Sequence, residues 1–112
     1  MDVEPGAINY ISYSNSNKTE FILFNKVSAL IKDPLTNNIQ FQNVINKLEK
    51  TIPEHLFYEI DTIIIGQFPE LIQRDVKAVY TDGAIYVTNE QKSEDDLYDD
   101  IVHEIAHSLE KP

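Results

Sequence analysis

The sequence predicts a small α+β domain in which a short β-sheet packs against a backing helix and a long C-terminal helix. Three observations carry that reading. The stretch from Tyr58 to Phe68 holds a β-branched run centred on Ile63-Ile64-Ile65 and bounded by Gly66 and Pro69, which suits a short strand. Asp82-Gly83 separates the β-leaning runs Val76–Tyr80 and Ala84–Val87, a strong short-range hairpin signal. From Glu94 to Glu110 the apolar residues recur at helical spacing behind a capping serine.

The elements follow in order. Ala7–Tyr13 and Thr19–Phe24 are two short β-leaning runs separated by Ser14-Asn15-Ser16-Asn17-Lys18, which reads as a hairpin. The second run could instead lead into a helix, because Phe21, Phe24, Leu30 and Ile31 settle on no single period. Asp33-Pro34 breaks what precedes it, and Thr36-Asn37-Asn38 forms a loop with capping residues. Ile39, Phe41, Val44, Ile45 and Leu48 then place an amphipathic helix over 39–51, ended by Pro53. The Ile63–Ile65 strand is expected at the centre of the sheet, buried on both faces. Pro69-Glu70 starts a helix of one or two turns to Arg74, with proline at the first helical position and an acid in the first turn. The last helix opens at Ser93 with Glu94, Asp95 and Asp96 at its positive end. Leu97, Tyr98, Ile101, Val102, Ile105, Ala106 and Leu109 fill its expected buried face. Its polar stripe carries Asp96, Asp99, Asp100, His103, Glu104, His107 and Glu110, and Lys111-Pro112 follows as a stop.

Composition narrows the function classes. A chain of 112 residues is one domain or a piece of one, able to bury roughly two-thirds of its unfolded surface. Nine basic against nineteen acidic residues give a net charge of -10. The cations are scattered, so nothing offsets repulsion from a phosphate backbone, and no nucleic acid is expected as a partner. No apolar run approaches a bilayer span and the first residues lack a signal-peptide layout, so no membrane is expected and the location is expected to be cytoplasmic. The absence of cysteine removes disulfides, thiolate zinc fingers, iron–sulfur clusters and thiol catalysis. Any metal must therefore be held by His, Asp or Glu.

One motif carries chemistry. His103-Glu104-Ile105-Ala106-His107 is an HExxH sequence on the last helix. Residues i and i+4 project from one helix face a turn apart, so both imidazoles can converge on one zinc ion, Zn2+. Glu104 stands about 100 degrees round from His103, beside such a metal and not on it. There its carboxylate can take a proton from a metal-activated water and pass it to a leaving amine. Asp99 or Asp100, one turn earlier, can accept a hydrogen bond from a ligand histidine and hold its tautomer. The plainer alternative is a merely solvated polar stripe on an amphipathic helix.

The stretch from Lys77 to Glu110, with its hairpin, polar loop and HExxH helix, resembles the zincin metallopeptidases, most closely small gluzincin-like proteins of microbial or phage type. Ser108-Leu109-Glu110 stands where a metzincin would carry a glycine and then a histidine. The resemblance implies that His103 and His107 are zinc ligands, that Glu104 is the general base, and that a peptide or protein substrate lies along the strand Ala84–Val87. It also implies that residues 1–112 form a single zincin-like domain corresponding to the upper subdomain, without the lower subdomain that carries the third ligand. Within the chain the candidates for that ligand are Glu110, on the same stripe as His103, and His55. The alternative function is a non-catalytic zincin relic or an acidic interaction module.

Overall fold

A computed structural model describes residues 18–36 and 38–110 of the chain. The elements are β1 (Glu20–Leu23), β2 (Val27–Ile31), α1 (Phe41–Thr51), a 3-10 turn (Glu54–Phe57), β3 (Thr62–Gly66), α2 (Pro69–Arg74), β4 (Ala78–Thr81), β5 (Ala84–Thr88) and α3 (Glu94–Ser108). The fold is α+β, and the described residues form one mixed five-stranded sheet in the order β1-β2-β3-β5-β4 and three α-helices. The central pairs β2/β3 and β3/β5 are parallel, while β1/β2 and β4/β5 are antiparallel hairpins at the two edges.

Apolar periodicity decides which face of this sheet is covered. Val27, Ala29, Ile63, Ile65, Ile85 and Val87 form the buried side and join Val44, Ile45 and Leu48 of α1 and Leu97, Ile101 and Ile105 of α3 in one core. The opposite face is only partly covered: Ile22 is 52% exposed, Ile64 is half-buried, and Phe68 packs edge-on against Tyr86 at 5.3 Å. The expectation that the central strand is buried on both faces is therefore corrected. Its position is central, but α1 and α3 both pack on a single side, leaving Thr62 and Ile64 half-covered.

The first hairpin also departs from expectation. Ala7–Tyr13 lies outside the described residues, and Phe21 and its neighbours pair instead with Val27–Ile31. The turn between them places both Phe24 and Asn25 at positive φ, 52° and 56°, as a type I′ turn demands. Asparagine tolerates that region and phenylalanine does not favour it, so the sequence carries only half of the usual turn signal. Phe24 is anchored by an edge-on ring contact with Phe57 at 5.3 Å and by its backbone N–H, which donates to Glu49 Oε2 at 2.7 Å.

The second hairpin follows its sequence. Asp82 and Gly83 have φ of 48° and 85° between β4 and β5. A side chain at Gly83 would be strained by that φ and would meet Asp61 Oδ2 at 2.8 Å. α1 and α2 begin and end within two residues of expectation, α2 with Pro69 in its first turn. α1 lacks a capping side chain of its own, and Glu94 of α3 supplies one: its carboxylate accepts from Gln40 N at 2.9 Å and from the Asn43 amide. The two helices are further tied side by side by Lys47 Nζ–Asp95 at 3.2 Å and by a 2.7 Å hydrogen bond between the Thr51 and Tyr98 hydroxyls. Tyr98 is thus half-buried against α1.

α3 itself starts as the sequence requires, with the Ser93 hydroxyl accepting from Asp96 N at 3.1 Å. Its phase is rotated from the expected one. Leu97, Ile101 and Ile105 are buried as expected, but Glu104 and Ser108 are buried with them, while Ala106 is exposed. The reason is the approach of β4. This strand lies alongside the helix, on the side that carries Asp100, His103 and Glu104. Among the described residues, no helix is long and apolar enough to cross a membrane.

Candidate metal centre

The second half of α3 and the edge strand β4 form the two walls of a groove of about 590 Å³. α3 contributes Asp100, His103, Glu104 and His107, and the opposite wall is built from Arg74 and the run Val76–Tyr80. Helical spacing alone sets the two imidazoles against each other. His103 Nε2 and His107 Nε2 are 3.0 Å apart, with the ring planes nearly perpendicular at 88°. His103, Glu104 and His107 form one group whose ligand atoms all lie within 4.8 Å of one another.

The donors fit zinc. Two nitrogens each about 2.0–2.1 Å from a tetrahedral ion stand about 3.3 Å apart, close to the observed 3.0 Å separation. The proton inventory agrees. Glu110 Oε1 lies 3.1 Å from His107 Nδ1, on the side of the ring away from His103. When Nδ1 carries the proton that this carboxylate accepts, Nε2 of His107 presents a lone pair toward His103, as a metal ligand must. The Glu110 hydrogen bond, aided by the charges of Glu104 and Glu110, holds the His107 pKa above the usual imidazole value.

Glu104 is only 6% exposed, yet it lines the groove. The expected polar stripe is corrected at this position, where the residue is buried together with Ile105 and Ser108.

The remaining candidates are placed as follows. Glu110 stands behind the His107 ring and outside the His103-Glu104-His107 group, where its carboxylate is placed to orient that ring. It thereby takes the role that the sequence offered to Asp99 or Asp100. Asp99 is exposed, and Asp100 accepts from Gln91 Nε2 at 3.0 Å, with burial pushing its carboxyl pKa up. His55 is exposed in the 3-10 turn and outside the group. Ala84–Val87 is not the edge of the sheet: β5 is enclosed between β3 and β4, and among the described residues β4 is the outermost strand on that side, beside α3. The resemblance implied Ala84–Val87 as the strand along which a peptide lies, but the parallel pairing of β3 with β5 places β4 outside it.

Sequence reasoning missed Arg74 and Lys77 as groove residues. Neither belongs to the motif, and only the turn from α2 into β4 brings them opposite α3. Tyr80 packs against the core, and its hydroxyl donates to the Glu59 carbonyl at 3.1 Å. Compared with models of protein families, with curated proteins and with solved structures, the chain matches none.

Proposed function

We propose that this chain is a zinc-dependent metallopeptidase domain of zincin type, with His103 and His107 as metal ligands and Glu104 as general base. The observation that carries the reading is the opposition of the two Nε2 atoms at 3.0 Å, with Glu104 beside them on a groove bounded by a free strand edge. Zinc, when bound, would polarise a peptide carbonyl and acidify a water molecule. Glu104 takes the proton of that water and returns it to the departing amine. Glu104 is buried yet lines the groove, and Glu110, 3.1 Å from His107 Nδ1, would hold that ring in the tautomer whose Nε2 carries no proton.

The substrate edge in this reading is β4. In an antiparallel pair the residues alternate between bonding their partner and bonding outward. The Lys77 carbonyl accepts from Thr88 N at 2.9 Å, so the next outward-directed groups belong to Ala78 and Tyr80. An extended peptide can add to those groups as a further strand, with affinity that does not depend on its sequence.

A second reading is favoured by the ligand count. Among the described residues the metal-capable group consists of two imidazoles and Glu104, whereas a catalytic zinc usually has three protein ligands and an open position. That count suits a domain that binds metal without turnover. Titration calorimetry with zinc at neutral pH tests the ligand assignment shared by both readings. Wild type is expected to bind one ion, and His103→Ala and His107→Ala are each expected to lose that binding. Unchanged binding in either variant would refute the ligand pair.

A further inference from the structure

We infer that a zinc ion at His103 and His107 is shared between two copies of this chain, each supplying the same pair of imidazoles, and that this bridged form closes the site. The inference rests on the ligand pair proposed above. It adds what fills the positions that the pair leaves empty, and a regulation of the same site by chain and metal concentration.

Ligand arithmetic carries it. Zinc in proteins is held either by four protein ligands in a closed site or by three with one open position. Among the described residues, the metal-capable group of this chain offers two imidazoles and Glu104. Glu104, the base in that reading, is buried, whereas both histidines are exposed, His107 with 45% of its side chain accessible. With Glu104 kept as base, one copy meets neither pattern and two copies meet the closed one. The chain has three histidines and no cysteine. The nitrogen donors of a second copy are therefore the same pair or the solitary His55 of the 3-10 turn.

Placement makes the pair available. α3 turns Leu97, Ile101 and Ile105 to the core, and the pair stands on a side where Asp99, Ala106 and Glu110 are exposed as well. Ala106, between the two ligands in sequence, brings only a methyl group to that surface. The helix holds the two Nε2 atoms at 3.0 Å before any ion arrives. A ready-made pair binds at a smaller ordering cost than two separate side chains. A two-fold axis through the ion relates the copies, the commonest symmetry for a dimer of identical chains.

Charge makes the association depend on the metal. Each copy carries -10, and Asp99 and Glu110 are exposed beside the pair, so two bare copies repel one another. Contact between them therefore requires a divalent cation. Four nitrogens leave no place on it for water or a carbonyl oxygen, so Glu104 has no bound water to deprotonate in the bridged form. Excess zinc gives each chain an ion of its own and opens the site.

Sedimentation velocity on the full 112-residue chain, titrated with zinc sulfate, tests the inference, with calorimetry at the same chain concentration reporting bound ion. The weight-average mass is expected to be that of a monomer in EDTA, to double at half an equivalent of zinc per chain, and to return to the monomer value in large excess of zinc. His103→Ala and His107→Ala are each expected to stay monomeric at every zinc level, with circular dichroism reporting an intact fold. His55→Ala is expected to dimerise like wild type. A wild-type chain that binds zinc yet stays monomeric would overturn the inference and leave the ligand pair standing, whereas absence of zinc binding would overturn both. A dimer that forms without zinc, persists in excess zinc or in either pair variant, or is lost in His55→Ala would assign the association to other residues and overturn the inference.

Discussion

Replacing Ile101 by alanine tests the helix phase on which the whole site depends. Ile101 is 0% exposed and lies two residues before His103, on the side of α3 that faces Ile63, Ile65 and Ile85 across the core. The substitution removes three carbons, worth about 0.8 kcal/mol each when fully buried. An unrelaxed cavity adds to that, giving about 3 kcal/mol within the usual range of about 2–5 kcal/mol. In equilibrium urea unfolding followed by circular dichroism, with a slope of about 1.5 kcal/mol per molar, the midpoint should fall by about 2 M. The companion variant is Ala106→Lys. The apolar spacing assigns Ala106 to the buried face, but the tertiary structure leaves it exposed, so lysine there should change stability by no more than about 0.5 kcal/mol. A small effect of Ile101→Ala together with a large effect of Ala106→Lys would show that the helix is rotated from the described phase, and Glu104 would no longer face the groove.

Three further outcomes follow from the same geometry. The raised pKa of His107 means that its protonated form stabilises the metal-free fold at pH below the ordinary imidazole value of about 6.5, and that this contribution is lost as pH rises through the raised folded value. Glu110→Gln should therefore lower the His107 pKa read by NMR titration and lower the melting temperature near pH 6 more than near pH 9; an unchanged titration would exclude the Glu110 contact. Zinc-loaded wild type is expected to turn over casein slowly at most, since two imidazoles leave the ion short of its usual third ligand. Whatever cleavage occurs should disappear in Glu104→Gln, and cleavage that persists in that variant would remove Glu104 from the role of base. Gly83→Ala should cost about 1 kcal/mol or more in urea unfolding, because φ is 85° and the new carbon would meet Asp61 Oδ2 at 2.8 Å; a neutral result would contradict the described turn.

What the sequence determined by itself is what local chemistry determines. Ser93 and the acids after it fix the start of α3, Pro69 fixes that of α2, and Asp82-Gly83 fixes the turn between β4 and β5. The four-residue spacing of His103 and His107 is a property of the α-helix, so their convergence was legible before any fold was known. Tertiary structure decided what depends on neighbours remote in sequence. Strand order made β4 the free edge and enclosed β5, because a parallel β3/β5 pair cannot be read from runs of similar composition. Both large helices pack on one face of the sheet, and this left Ile64 half-covered. Packing of α3 beside β4 left Glu104 buried and Ala106 exposed, a phase different from the one that apolar spacing alone had suggested. Glu110, instead of an aspartate one turn earlier, came to hold the His107 ring because its side chain reaches back along the helix to Nδ1. Arg74 and Lys77 acquired their place in the groove through a backbone turn and not through any motif, since a charge has no partner until the fold sets a wall opposite it.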